Sequence, residues 1–185
     1  MTTSIEAPEL RELSPDQVDA LAHFLAELPE GDRTFVKEAV DDRAVVAGWA
    51  SAGPSGSGQA ASRWVASAGT EVVGYVAVLP LPGWSSHVGE LRLVVAPSAR
   101  GRGLGRLLAE HALKIAVGLG LTKLVVEVVA VQEGTIAMFN SLGFRGEALL
   151  TDHIRDGRGD LQDLVVLAHD VTAAASALET VGVED

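Results

Sequence analysis

Leu93-Val94-Val95-Ala96-Pro97-Ser98-Ala99-Arg100-Gly101-Arg102-Gly103-Leu104-Gly105-Arg106 is the stretch on which the fold turns. It reads as a β-prone run, a short glycine-rich loop and the opening of a helix. Three glycines alternating with side chains let successive backbone N–H groups approach one anion, and the helix beginning there adds the positive end of its dipole. The pattern is that of a phosphate cradle. It is not a dinucleotide fingerprint: read from Gly101, Arg106 stands where the last glycine is needed, and read from Gly103, Leu108 does. It is not a P-loop either, since the chain has no Gly-Lys pair.

Outward from this stretch the period of the apolar residues changes. Downstream, Leu104, Leu107, Leu108, Ala112, Ile115 and Leu119 follow helical spacing until Gly118 and Gly120 end it. Leu121 to Val131 predicts a strand apolar on both faces, hence central and covered on both sides. Gly134 to Leu142 predicts a short helix ending at Gly143. Phe144–Leu150 and Leu161–Ala168 predict a closing hairpin around Asp156-Gly157-Arg158-Gly159. The tail from Val171 is alanine-rich.

Upstream, Ala60–Ser67, Glu71–Leu79 and His87–Val95 predict three antiparallel strands, the first two joined through Ala68-Gly69-Thr70. Ser51 to Gln59 (SAGPSGSGQ) is expected to be a mobile loop and not a domain boundary. Ser14-Pro15-Asp16-Gln17 has the residues of a helix start, predicting a helix over Pro15–Leu28 that Pro29-Glu30-Gly31 stops. A second helical stretch spans Asp32 to Trp49, as one helix or two. The fold class is therefore α+β, in a single domain over residues 1–185 with its core at about 60–168.

A chain of 185 residues is one domain's length, and 48% hydrophobic with 21% charged residues excludes disorder. The absence of cysteine excludes disulfides, thiolate metal sites and an acyl-cysteine intermediate, and makes a reducing compartment, the cytoplasm, the expected location. No apolar run reaches the roughly 18 residues of a membrane span. Fourteen basic against twenty-five acidic residues, net charge -11, argue against nucleic acid as a partner. Yet Arg92, Arg100, Arg102 and Arg106 fall within fifteen positions, so the charge is locally inverted. The five histidines have no zinc spacing. His153 follows Asp152 on the closing hairpin.

Arg100-x-x-Gly103-x-Gly105 after Val95-Ala96-Pro97 resembles the Arg/Gln-x-x-Gly-x-Gly/Ala motif of the GNAT superfamily of acyl-CoA-dependent N-acyltransferases. Phe139-Asn140-Ser141-Leu142-Gly143-Phe144 is similar to that family's second signature, at family spacing. The resemblance covers about Ala60 to Ala168. It implies a mixed, mostly antiparallel sheet of about seven strands splayed in a V and flanked by about four helices, with acetyl-CoA as acyl donor and no metal. It further implies that a bulge splays the first motif strand, freeing backbone groups of Leu93, Val94 and Val95 for the pantetheine arm and the acyl carbonyl. The pyrophosphate would fall to Arg100, Gly101, Arg102, Gly103, Leu104, Gly105 and Arg106. Gln132 stands where many members have an asparagine contacting the cofactor. Phe139 stands where many have a tyrosine that protonates the departing thiolate, so the proton is deleted while the packing is kept.

Direct attack on a thioester needs a neutral amine. Deprotonation at pH 7 costs about 4.6 kcal/mol for an amine of pKa about 10.4 and about 1.4 kcal/mol for one near 8. Glu127 is the leading candidate base, as the sole ionisable group between Leu124 and Val131 in a strand expected to be buried, and Glu90 is the reserve. A structural alternative pairs Glu127 with Arg92 or Lys123. Tyr75, the only tyrosine, reads as a core or substrate-wall residue. The function expected is transfer of an acetyl group from acetyl-CoA to a primary amine of a small molecule or peptide, directly, in a ternary complex. The alternative is an acyl-CoA-binding regulatory module with lapsed catalysis. Homodimers are common in the family resembled.

Overall fold

The computed structural model describes residues 8–29, 32, 40, 42–51 and 61–172. Seven strands form one sheet: β1 (Glu9–Glu12), β2 (Ser62–Ala68), β3 (Glu71–Pro80), β4 (Val88–Val95), β5 (Lys123–Val129), β6 (Arg145–Arg155) and β7 (Leu161–Asp170). Their order is β1-β2-β3-β4-β5-β7-β6. β4 and β5 pair in parallel, and every other neighbouring pair is antiparallel. Four α-helices are described: α1 (Val18–Glu27), α2 (Arg43–Ser51), α3 (Leu104–Gly118) and α4 (Glu133–Ser141). The α+β class and the mixed seven-stranded sheet follow the sequence expectation.

The two sides of the sheet are separated by the alternation of β3. A Cβ on Gly74 would lie 3.0 Å from Leu108 and 3.4 Å from Leu104, so even-numbered residues of β3 face α3. The neighbouring Tyr75 faces the other way and stacks on Trp49 of α2, ring centroids 5.5 Å apart. β3 is thus enclosed from both sides, and every residue from Val72 through Val78 is buried. α3 can approach closely because the stripe it turns to the sheet is Leu104, Leu108, Ala109, Ala112 and Ala116, largely small residues. Leu21 and Leu25 of α1 and Val46 of α2 are fully buried in the layer opposite.

Several sequence expectations are corrected. The strand expected to be covered on both faces, Leu121–Val131, is β5; it is central, but only Leu124, Val126 and Val128 with Val129 are buried, while Lys123, Val125 and Glu127 are half-exposed. α3 covers one of its faces and the α1–α2 layer reaches β3 but not so far across the sheet. The doubly covered strand is β3. β1 escaped the sequence because ELRE carries one apolar residue, and it is held by its ladder to β2. The second helical stretch enters the described residues at Asp32 and as α2, which includes Ser51 of the expected loop; residues 33–39, 52–60 and 173–185 lie outside the described residues. β6 forms the free edge of the sheet, and its pairing with β7 shifts between Leu150 and Ile154, where Asp152 has φ 53°.

Gly89 marks the tightest packing under β4. A Cβ there would meet Leu121 at 2.6 Å, Val78 at 3.2 Å and Leu124 at 3.3 Å. Gly89→Val should lower stability by about 1–3 kcal/mol through overpacking, read as a fall in Tm, whereas Gly118→Ala, with nothing within 4 Å, should not. A second expectation concerns His111 of α3, whose ring meets Trp64 edge-on at 4.4 Å and whose Nε2 is buried without a hydrogen-bond partner. Burial first, and Lys114 second, hold its pKa below the ordinary histidine value. The unfolded chain therefore takes up this proton first as pH falls through about 6.5, so stability drops on acidification. Thermal melts from pH 7.5 to 5.5 should show a smaller drop for His111→Leu than for the parent protein.

Candidate active site

The ladder between β4 and β5 is short. Register pairs Val88, Gly89, Glu90 and Leu91 with Lys123, Leu124, Val125 and Val126, and stops there, although both strands continue. Beyond Leu91 the two strands part, giving the V that the sequence resemblance implied. No bulge produces it: β3 and β4 stay in unbroken register from Gly74↔Val95 to Pro80↔Gly89, so β5 diverges from a regular β4. The direction of the β4 backbone follows from two bonds, Ala96 N–H to Val73 O (2.9 Å) and Leu81 N–H to Val88 O (2.9 Å). Even-numbered residues of β4 therefore bond to β3, and the N–H and C=O groups of odd-numbered residues point to β5. Leu93 and Val95 lie past the last paired residue, so their amides face into the opening, flanking half-buried Val94.

The opening leads to the glycine turn. Gly101 and Gly103 have φ of 71° and 85°, and a Cβ on either would meet nothing within 4 Å. This open, left-handed backbone ends at the first turn of α3, whose first helical bond is Leu107 N–H to Gly103 O (3.0 Å). The N–H groups of Leu104, Gly105 and Arg106 thus have no acceptor within the helix. Gly105 closes the contact with α4 and β4: its Cβ would stand 3.5 Å from Met138 Sδ and 3.9 Å from Val95 Cγ2. Leu104 is itself buried, so only its backbone serves the turn.

The four arginines have different occupations. Arg100 folds back, donating from Nε and Nη2 to Val95 O (3.2 and 3.1 Å) and pairing with Asp32 at 2.6 Å. Arg106 bonds Glu110 at 2.9 Å and Ser141 Oγ at 2.9 Å, tying α3 to α4. Arg92 pairs with Glu90 at 3.1 Å, both half-buried. Arg102 is exposed beside the two left-handed glycines, and among the described residues its side chain alone of the four makes no ion pair or hydrogen bond.

On the sheet face opposite α3, register sets Arg63, Ala77 and Arg92 in one row and Val65, Tyr75 and Val94 in the next. Glu90 pairs with Leu79 on the same face, and the alternation of β5 turns Glu127 to it as well. Glu90, Arg92 and Glu127 therefore meet around the mouth of the V. Glu127 is half-exposed there and not buried as expected. The pairing weighed for it is also corrected in part: Lys123 bonds Glu147 at 2.7 Å. Tyr75 is 2% exposed against Trp49. Phe139 is 1% exposed and packs edge-on against Phe144, centroids 5.0 Å apart, so it belongs to the core. Gln132 caps α4, its carbonyl accepting from Thr135 and Ile136. His153 is exposed on β6. Asp32, which holds Arg100, was not legible from the sequence, since only the fold brings it to the turn. Among the described residues no group of three or more His, Asp or Glu could hold a metal ion, and no helix is long and apolar enough to cross a membrane.

Known proteins with this arrangement are plentiful. A Sinorhizobium meliloti GNAT-superfamily phosphinothricin acetyltransferase, solved with acetyl-CoA, matches with a TM-score of 0.73 at 17% identity over 89% of each chain. The Salmonella typhimurium protein yncA, solved with its cofactor acetyl-CoA, matches at 0.72 and 18% identity, over 90% of this chain and 95% of that one. These likenesses establish the fold. In sequence, rat N-acetyltransferase 8F1 is 35% identical over 95 residues, 49% of this chain and 43% of that protein. Escherichia coli N-acetyltransferase YjgM is 35% identical over 82 residues, 44% of this chain and 49% of that one. The chain thus aligns to less than half the length of either relative. The sequence profile of the acetyltransferase (GNAT) family matches residues 2–144, most of the chain. The chain belongs to the acetyltransferase (GNAT) family.

Proposed function

We propose that the protein moves an acetyl group from acetyl-CoA directly to a primary amine of a small molecule or peptide, both substrates being bound at once. The observation that carries this is the parting of β4 and β5 after Leu91↔Val126, with the left-handed glycine turn at its end. The donor set suits the ligand: unpaired N–H groups at the start of α3 and the Arg102 guanidinium for a diphosphate, and in-line backbone amides along the opening for an amide-rich arm. In this reading Gly101, Arg102, Gly103, Leu104, Gly105 and Arg106 hold the diphosphate through backbone N–H groups. Arg100 braces the turn against Val95 and Asp32. Leu93, Val94 and Val95 line the arm, with Gln132 across from them at the start of α4. The chain acts as one domain, in the cytoplasm.

The amine nitrogen attacks the thioester carbon, the N–C bond forms and the C–S bond breaks. A Leu93 or Val95 N–H donates to the carbonyl oxygen as negative charge grows on it, which is worth a few kcal/mol, about 3–4 for one such donor. Glu127 takes the proton that the amine must lose, and Glu90, anchored by Arg92, is the reserve. The thiolate leaves with a proton from water, because Phe139 offers none. A thiol of pKa about 8.5 makes that substitution cost only about 2 kcal/mol at pH 7.

Two measurements test this. Gly103→Glu should weaken CoA binding in calorimetry at least tenfold, by setting a carboxylate where the diphosphate docks. Gly103→Asn, which tolerates the left-handed backbone, should change it little. Glu127→Gln should cut amine-dependent thiol release by about 100-fold or more at pH 7, leave CoA affinity unchanged, and recover in part at pH 9, where more of the amine is already neutral. Tight CoA binding with no release on any amine would favour a regulatory module instead.

A further inference from the structure

One carbonyl at the outer end of the opening is already taken. Val95 lies past the last β4–β5 pair, with its N–H and its C=O both directed to the V. Its carbonyl accepts from Arg100 Nε (3.2 Å) and Nη2 (3.1 Å), and the same Nη2 donates to Asp32 Oδ2 at 2.6 Å. A single guanidinium nitrogen therefore bridges a strand carbonyl and a carboxylate. The other edge of that peptide plane is fixed too, because Ala96 N–H bonds Val73 O at 2.9 Å. Val95 thus leaves a ligand its N–H, whereas Leu93, also past the ladder, leaves both its N–H and its C=O.

The chain places both ends of this bridge. Pro97-Ser98-Ala99 makes a single 3-10 turn, with Ala99 N–H on Ala96 O at 2.9 Å, which brings Arg100 back beside the strand it has just left. Asp32 comes from the other side. Its N–H bonds Pro29 O (2.8 Å) just past α1, where Leu28 is buried. Glu27 and Leu28 line one groove with Ala96, Pro97 and Ser98, so the end of α1 runs beside the end of β4. The Asp32 side chain is 19% exposed against 47% for Arg100, which makes the carboxylate the more enclosed member of the pair. Without its charge, the guanidinium would keep only a neutral carbonyl and would be drawn to an anion at the glycine turn.

An arm reaching down from that turn passes Val95 first and Leu93 about 7 Å deeper, two residues along the strand. At Val95 an amide of the arm can present its C=O to the N–H, but its own N–H finds the strand carbonyl occupied. We propose that Asp32 is a positioning residue for the acyl donor: acting through Arg100, it withholds the Val95 carbonyl and fixes the register in which the arm of CoA lies along β4, so that the thioester stops beside Leu93. This rests on the acyl-transfer reading above and adds to it a residue from outside the glycine turn. Arg100 then serves alignment, and the diphosphate relies on backbone N–H groups and Arg102.

Calorimetry on the full chain tests this by comparing CoA with ADP, which carries a diphosphate without the arm. Asp32→Asn should lower CoA affinity about fivefold and leave ADP affinity unchanged or slightly raised, since Arg100 is released toward phosphate. Asp32→Glu should restore most of the loss, and Arg100→Lys, which keeps the charge and loses the fork, should reproduce it. With bound acetyl-CoA labelled with carbon-13 at the carbonyl, the resonance of the parent complex should lie downfield of the free thioester, and Asp32→Asn should move it back. A merely structural role would weaken ADP and CoA alike and lower Tm. That result, or a CoA-to-ADP ratio and a carbonyl resonance untouched by Asp32→Asn, would overturn the proposal. A parent protein that releases no thiol with any amine, yet shows the Asp32-dependent ratio, would defeat the acyl-transfer reading and leave the alignment of the arm standing.

Discussion

One interruption of hydrogen bonding organises this molecule: β4 and β5 share four residue pairs and then separate. Buried backbone amides are almost always paired, so a sheet that opens in its middle exposes polar groups that want partners. The cost is kept low because the opening lies at a sheet end, where it meets the start of α3 with its own unpaired N–H groups. Strand amides and helix amides thus converge on one trough. Everything else in the domain either holds that trough open or decides what enters it.

Holding it open falls to packing that cannot easily adjust. β3, enclosed from both sides, is the rigid reference to which β4 stays in unbroken register. Glycine at position 74 and alanines along α3 bring the helix close to the sheet, which fixes where its first turn points. At the end of β4, Arg100 bonds the Val95 carbonyl and Asp32 together. Asp32 is thereby fastened to the same residue whose amide faces the V.

Much of this was legible in the sequence, and the limits have physical reasons. The glycine turn announced itself because alternating glycines have few other uses ahead of a helix, and the change of period at Leu104 located α3 closely. Central strands were found because apolar β-branched runs are unambiguous. β1 was missed because a four-residue edge strand owes its existence to its neighbour and not to its own residues. Glu127 was misjudged as buried: an apolar run shows that a strand is central, but not how far the helical layer extends across it. Arg100 and Arg106 were grouped with Arg102 by proximity in sequence, whereas their guanidiniums are spent on Val95 with Asp32 and on Glu110 with Ser141.

The irregularity in β6 has a consequence outside the trough. An edge strand of eleven residues offers a long row of backbone donors and acceptors, the template on which misassembled strands grow. Thr151, Asp152 and His153 oppose the single residue Asp163, and Asp152 is forced into a left-handed conformation secured by its N–H on the Asp163 carboxylate (2.9 Å). That kink breaks the row in two and plants charge at the break. A break of this kind blunts an edge strand against pairing with another chain.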